Sequence, residues 1–199
     1  MAAKKQHHLV IFGGQGSGKG TQARILEKEL GVVYIGLGDL LRELAIEDHP
    51  TAKKIRQTLI LGDLVPDEFM NQMVALKLGN IPPSVGFILD GYPRTVPQAA
   101  GLHQTLGGLA RLIPRSVFIN LEVPKEELLK RLRKRRHTEQ REDESEEAIA
   151  RRLSIYEERT RPVLDAVAAW ADIAHIDGDQ TIPKVTEEIV KKVEEVSGN

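Results

Sequence analysis

The chain has 199 residues, 41% of them hydrophobic, 29% charged and 4% aromatic, with a net charge of -1 and no cysteine. That length suits one well-cored domain, and a pI near 6.6 gives no global basic field, so bulk nucleic-acid binding is disfavoured and any anion site must be local. The lack of cysteine excludes a disulfide framework and cysteine-ligated zinc or iron–sulfur centres, and is compatible with a reducing cytoplasm.

The chain opens on "MAAKKQHHLVIFGG", whose apolar run is broken by glycines too soon for a signal peptide, and no later stretch is long enough to span a membrane. His7 and His8 lack ligand-spaced partners and read as the polar entry to a strand rather than a metal site. The run "HLVIF" reads as a buried strand, and "GKGTQARILEKEL" as the helix that follows it. "VVYIG" is a second strand. From about Asp39 to Asn80 the pattern is helical throughout, which marks an insertion before the third strand, "GFILD". A helix over "TVPQAAGLHQTL", a strand over "SVFINLEV" and a helix over "PKEELLKRLRKR" come next. A polar excursion, Arg136 to Glu147, separates two arginine-rich helices. The strand "IAHID" and the helix "TIPKVTEEIVKKVEEV" complete the chain, with "VSGN" as a frayed end. Strands alternating with helices imply an α/β fold, a parallel sheet with helices on both faces.

Gly13, Gly18 and Lys19 satisfy the Gly-x4-Gly-Lys pattern, between a strand and a helix start where its mechanism requires it. Glycines let backbone N–H groups turn inward around a phosphate, the helix N-terminus adds a favourable dipole, and the Lys19 ammonium neutralises further charge. The competing reading is a Gly-rich turn that merely packs the helix on the strand. Gly20 stands where Ser or Thr is usual, so a magnesium-binding hydroxyl is displaced to Thr21 or replaced by water. Asp90, ending a strand beside this loop, is the metal candidate, acting through water. Its alternative is an N-cap or turn aspartate.

"GKGTQ", "GLGDLLRE", "LGDLVPDEF", "GFILDGYPRTVPQA" and the arginine-rich stretch from Arg131 resemble, in order and over nearly the whole chain, the adenylate kinases of short-lid type among the nucleoside monophosphate kinases. The resemblance implies a P-loop NTPase fold with about five parallel strands, a helical monophosphate-binding insert at about 38–67 and a short lid at about 135–145. It implies transfer from MgATP to AMP giving two ADP, with Mg2+ as cofactor and no structural zinc. Charge, composition and the absence of spanning stretches lead us to expect a cytoplasmic protein acting on small nucleotides without nucleic-acid or membrane partners, and nothing in the sequence demands more than a monomer. ATP would be held by Gly14, Gln15, Gly16, Ser17, Gly18, Lys19, Gly20 and Thr21, with Arg131, Arg135 and Gln180. AMP would be held by Leu37, Gly38, Arg42, Leu64, Val65, Gly91, Arg94, Gln98, Arg141 and Arg152. The catalytic set would be Lys19, Arg94, Arg135, Arg141 and Arg152, since phosphoryl transfer depends on fixed positive charge around the migrating group. Asp143 falls on a family aspartate. Arg133, Arg136, Arg151 and Arg159 read instead as a solvated face laced with ion pairs.

The chain departs from the family pattern at Gln15, where Pro is usual, at Leu37, in place of Thr or Ala, and at Asp63, in place of Lys. Leu37 keeps a UMP/CMP or broad-specificity monophosphate kinase open as an alternative, whereas Gln98 favours AMP. The three departures together keep open a nucleotide-binding protein with decayed kinase activity, which the retained arginines oppose.

Overall fold

The computed structural model describes residues 7–109, 116–139 and 145–197. Its first strand, β1 (His8–Gly13), is buried along its whole length. Leu9 and Ile11 pack into one layer, and Val10 and Phe12 into the other. A strand covered on both faces needs apolar residues at nearly every position, which is why it reads as a continuous run and not as an alternation. His8 stacks on Phe87, with ring centroids 4.7 Å apart, and so belongs to the packed sheet.

The elements follow as α1 (Lys19–Leu30), β2 (Val33–Gly36), α2 (Leu37–Ala45), α3 (Pro50–Leu61), α4 (Asp67–Gly79), β3 (Phe87–Asp90) and α5 (Val96–Gly108). Then come β4 (Ser116–Glu122), α6 (Lys125–Glu139), α7 (Glu146–Ile155), a π-helical turn (Tyr156–Thr160), α8 (Arg161–Ala168), β5 (Ile173–Asp177) and α9 (Ile182–Ser197). The strands form one five-stranded sheet in the order β2-β3-β1-β4-β5, parallel at every pairing. The expected parallel α/β architecture is therefore present. Residues of α1 and α9 cover one face of the sheet, and residues of α2 to α5 and α8 cover the other. Each fully buried Leu, Ile or Phe contributes roughly 1.5–3 kcal/mol relative to exposure, enough in sum to hold a glycine-rich loop in an otherwise unfavourable conformation.

Chain order reverses about β1: the connection after it runs to β2 on one side, while β4 and β5 lie on the other. A crevice opens outside the carboxyl ends of strands at such a point. Register puts Ile11 beside Asp90 and Gly13 beside Leu121, so the loop after β1 and the end of β3 share that crevice.

Between β2 and β3 the helical insertion spans α2, α3 and α4. It meets α7 at the end of α3. Gly62, the C-cap of α3, has φ 74°, and a Cβ there would lie 2.7 Å from the Ala148 carbonyl oxygen. Beside it Arg151 Nε donates to Asp63 Oδ1 at 2.8 Å, and Arg152 Nη2 donates to the Leu59 carbonyl at 3.0 Å. Of the lid expected at about 135–145, residues 140–144, Arg141 and Asp143 included, lie outside the described residues.

Candidate active site

The crevice is a cleft of about 440 Å³. Gly13, Gly16 and Gly18 in its floor all have positive φ, 140°, 88° and 95°. A Cβ on Gly13 would meet Ser17 Oγ at 2.6 Å and the Leu121 carbonyl at 2.8 Å, so both conformation and space require glycine there. Lys19 Nζ donates to the carbonyls of Gly13 and Gly14 at 2.8 and 2.9 Å, folding the ammonium back over its own loop. Withdrawal from water lowers its pKa to about 8; Asp90 resists this, and the Arg94 and Arg135 guanidinium groups add to it.

Asp90 faces the loop from β3. Its Oδ2 is 3.4 Å from where a Cβ on Gly20 would stand, and it accepts from the Tyr34 hydroxyl at 3.3 Å. Asp90 is no N-cap, because α5 is capped by Thr95, whose side chain accepts from the Gln98 N–H. Burial and the nearby Asp90 and Asp39 carboxylates hold the Tyr34 phenol well above its ordinary pKa, so it stays a neutral donor.

Arg94 follows Gly91 (φ 85°) and a cis Tyr92–Pro93 peptide. Its Nε donates to the Gly91 carbonyl at 2.9 Å, and its own carbonyl accepts from Thr160 Oγ1 at 3.1 Å. Withdrawal from water lowers its pKa, Arg152 and Arg42 push the same way, and Asp90 opposes them. Such a crowd of like charges suits an anion that binds among them. Arg42 pairs with Asp39, which also pairs with Arg24 at 3.0 Å.

Beside Arg42 and Arg94 lies a smaller cavity of about 60 Å³, walled by Leu37, Leu41, Leu64, Val65 and Met70 and reached by Gln98. Gln98 is 2% exposed. Its Oε1 accepts from the Arg94 N–H at 2.8 Å, and its Nε2 donates to Asp67 Oδ1 at 2.7 Å. An amide so held still has one hydrogen and one lone pair for a base.

Arg135 and Arg152 converge on the phosphate loop. With the Gln15 amide turned so that its oxygen meets donors, Oε1 accepts from Arg135 at 3.2 Å and from Arg152 at 2.8 Å. Arg131 lies at the far rim, bonded to Glu127 at 2.9 Å, the Gly178 carbonyl at 3.0 Å and Asp179 at 3.1 Å.

The cleft thus brings together the expected Gln15, Gly16, Gly18, Lys19, Gly20, Thr21, Gly38, Arg42, Leu64, Asp90, Gly91, Arg94, Arg131, Arg135 and Arg152. Leu37, Val65 and Gln98 line the smaller cavity. Ser17 is buried beneath the loop. The Gln180 side chain turns instead toward the Asp177 carbonyl and Glu188. Arg141 lies outside the described residues. Arg133 and Arg136 pair loosely with Glu146, as a solvated face would, whereas Arg151 reaches Asp63 on the insertion. Sequence reading gave no role to Tyr34, Arg24, Asp67 and Thr160, whose part in the site comes from tertiary contact.

The model of the adenylate kinase family matches residues 11–171. The chain is 37% identical to the adenylate kinase of Xanthomonas euvesicatoria pv. vesicatoria over 92% of its own length and 97% of that protein's. It is also 37% identical to the adenylate kinase of Micrococcus luteus, covering 93% and 89%, and to that of Desulforamulus reducens, covering 94% and 99%. The chain belongs to the adenylate kinase family, and with it to the nucleoside monophosphate kinases on the P-loop NTPase fold. Both the suspected family and the expected enzyme class are borne out.

Proposed function

We propose that the enzyme transfers a phosphoryl group reversibly from MgATP to AMP, giving two ADP. The observation that carries this is the convergence of Lys19, Arg42, Arg94, Arg135 and Arg152 on one cleft, next to an apolar slot that ends in Gln98. Lys19 and the loop amides hold the donor phosphates, for which the ammonium leaves the Gly13 and Gly14 carbonyls. Arg42 and Arg94 clamp the acceptor phosphate, Arg94 in a fixed fork that favours bidentate contact. Arg135 and Arg152 stabilise the group in flight, a role the family resemblance also gives to Arg141, and Arg131 stands nearer the ATP ring. The acceptor oxygen is already anionic, so no general base is required, and the work is positioning and charge stabilisation.

The oxygen donors here fit a magnesium ion that arrives with its nucleotide. Among the described residues no cluster of His, Cys, Asp or Glu could hold a metal by itself, while Asp90 and Thr21 line the cleft next to the Cβ-free face of Gly20. Mg2+ usually keeps several waters and takes only one or two protein carboxylates beside phosphates. Asp90 would hold it through water, with Thr21 adjacent, and it would neutralise charge developing between the donor phosphates. A cytoplasmic monomer acting on free nucleotides fits this reading; no described helix is long and apolar enough to cross a membrane.

The test is ADP formation from MgATP with AMP, UMP, CMP and GMP offered separately. Turnover should be fast with AMP, and Lys19→Met or Arg94→Ala should lower it by at least about 100-fold with the fold intact. A pyrimidine preference would overturn Gln98 as base reader, and near-normal rates in both variants would overturn the assigned roles.

A further inference from the structure

Tyr34 sits on β2 in the wall of the cleft. Its hydroxyl donates to Asp90 Oδ2 at 3.3 Å, and the Arg24 guanidinium lies 4.6 Å from the centroid of its ring. Arg24 reaches Asp39 at 3.0 Å, and Asp39 pairs with Arg42. One aromatic side chain thereby joins the carboxylate on the donor side to the arginine on the acceptor side.

Gly36 shows what this placement demands. It lies two residues beyond Tyr34, on the same face of the strand, and its register partner on β3 is Asp90. Its φ of -91° and ψ of 100° are open to any residue, so the backbone does not ask for glycine. Space does: a Cβ would stand 2.3 Å from the Tyr34 hydroxyl, 2.6 Å from Cζ and 2.9 Å from Cε1. The phenol leans along β2, across Gly36, to reach Asp90. Any larger residue at 36 would drive it off.

We propose that Tyr34 is a positioning residue for phosphoryl transfer. Its hydroxyl orients the Asp90 carboxylate toward the metal-bearing phosphates, its ring holds Arg24 for the Asp39–Arg42 pair, and Gly36 supplies the space it crosses. This rests on Asp90 as the metal-side carboxylate. Groups that orient a metal's protein partners commonly change metal affinity by about 10-fold or more when removed.

Mn2+ titrated into the enzyme–ATP complex and followed by electron paramagnetic resonance separates the role of Tyr34 from the assignment of Asp90 on which it rests. Asp90→Asn should weaken Mn2+ retention; if it does not, the metal-side assignment of Asp90 fails and the proposal with it. Tyr34→Phe should weaken Mn2+ by about 10-fold while leaving the AMP KM near that of the unaltered enzyme, because the ring still holds Arg24. Tyr34→Ala should in addition raise the AMP KM. Gly36→Ala should weaken Mn2+ as Tyr34→Phe does, yet add nothing once Tyr34 is already Ala. Normal Mn2+ affinity in Tyr34→Phe beside a weakened Asp90→Asn would overturn the role of the hydroxyl. A Gly36→Ala effect that persists in the Tyr34→Ala background would overturn the steric link.

Discussion

Lys19 lies in the cleft with a pKa lowered to about 8, first by withdrawal from water, with Asp90 resisting and Arg94 and Arg135 adding to the shift. The charged form is the one that attracts phosphate. It predominates below pH 8 and is lost as pH rises through that value. Because kcat/KM reports the free enzyme, kcat/KM for ATP should be level up to about pH 7.5 and then fall, approaching tenfold per pH unit. With ATP saturating, the polyphosphate favours the protonated lysine and moves the decline in kcat to higher pH. Lys19→Met should lose this limb, keeping only a low, flat rate. A kcat/KM that stays level to about pH 9.5 would refute the lowered ammonium.

At the scale of elements, the contact of α3 with α7 ties the insertion to the arginine-rich helices. Gly62→Ala combines a φ of 74° with a Cβ 2.7 Å from the Ala148 carbonyl, which is backbone and cannot swing aside. It should cost about 1–3 kcal/mol in denaturant unfolding. Asp63→Asn breaks only a pair whose side chains are 56% and 38% exposed, and should cost about 1 kcal/mol or less. The reverse ranking would mean that the ion pair, and not the close backbone approach, stabilises the α3–α7 contact. These two residues also mark how much could be read in advance. The strands were legible because a doubly covered sheet writes itself as β-branched runs, and the phosphate loop because its glycines answer to local backbone geometry. Asp63 could be noticed only as a departure from lysine, since Arg151 is brought beside it by folding. Likewise nothing in "VPDEF" announces that Asp67 will hold the Gln98 amide, and nothing in "VVYIG" announces that Tyr34 leans over Gly36. The π-helical turn, in which the Arg161 N–H bonds to the Tyr156 carbonyl, ends just before Pro162, which has no N–H to donate to a regular ladder. Its consequence is tertiary: it delivers Thr160 to the Arg94 carbonyl.

For the molecule as a whole, the net charge of -1 conceals a strong segregation. The cleft gathers cations from the loop, the insertion, β3's sequel and the α6–α7 pair, while among the described residues Asp39 and Asp90 are the acids that line it. A concave, positively charged site with low-dielectric walls focuses its field and raises the encounter rate of polyanions, even where the protein's surface as a whole is neutral. That steering acts over about 10 Å at 0.1 M salt and shrinks as salt rises. Guanidinium–phosphate contacts formed once a nucleotide is bound, out of bulk water, would be far less screened. Raising ionic strength from about 20 to about 300 mM should therefore lower kcat/KM for both nucleotides several-fold and leave kcat much less affected. Equal losses in kcat and kcat/KM would place the salt effect in the chemical step or in the fold. A kcat/KM indifferent to salt would mean that Asp39 and Asp90 cancel the arginine field before a nucleotide arrives, leaving recognition to short-range contacts alone.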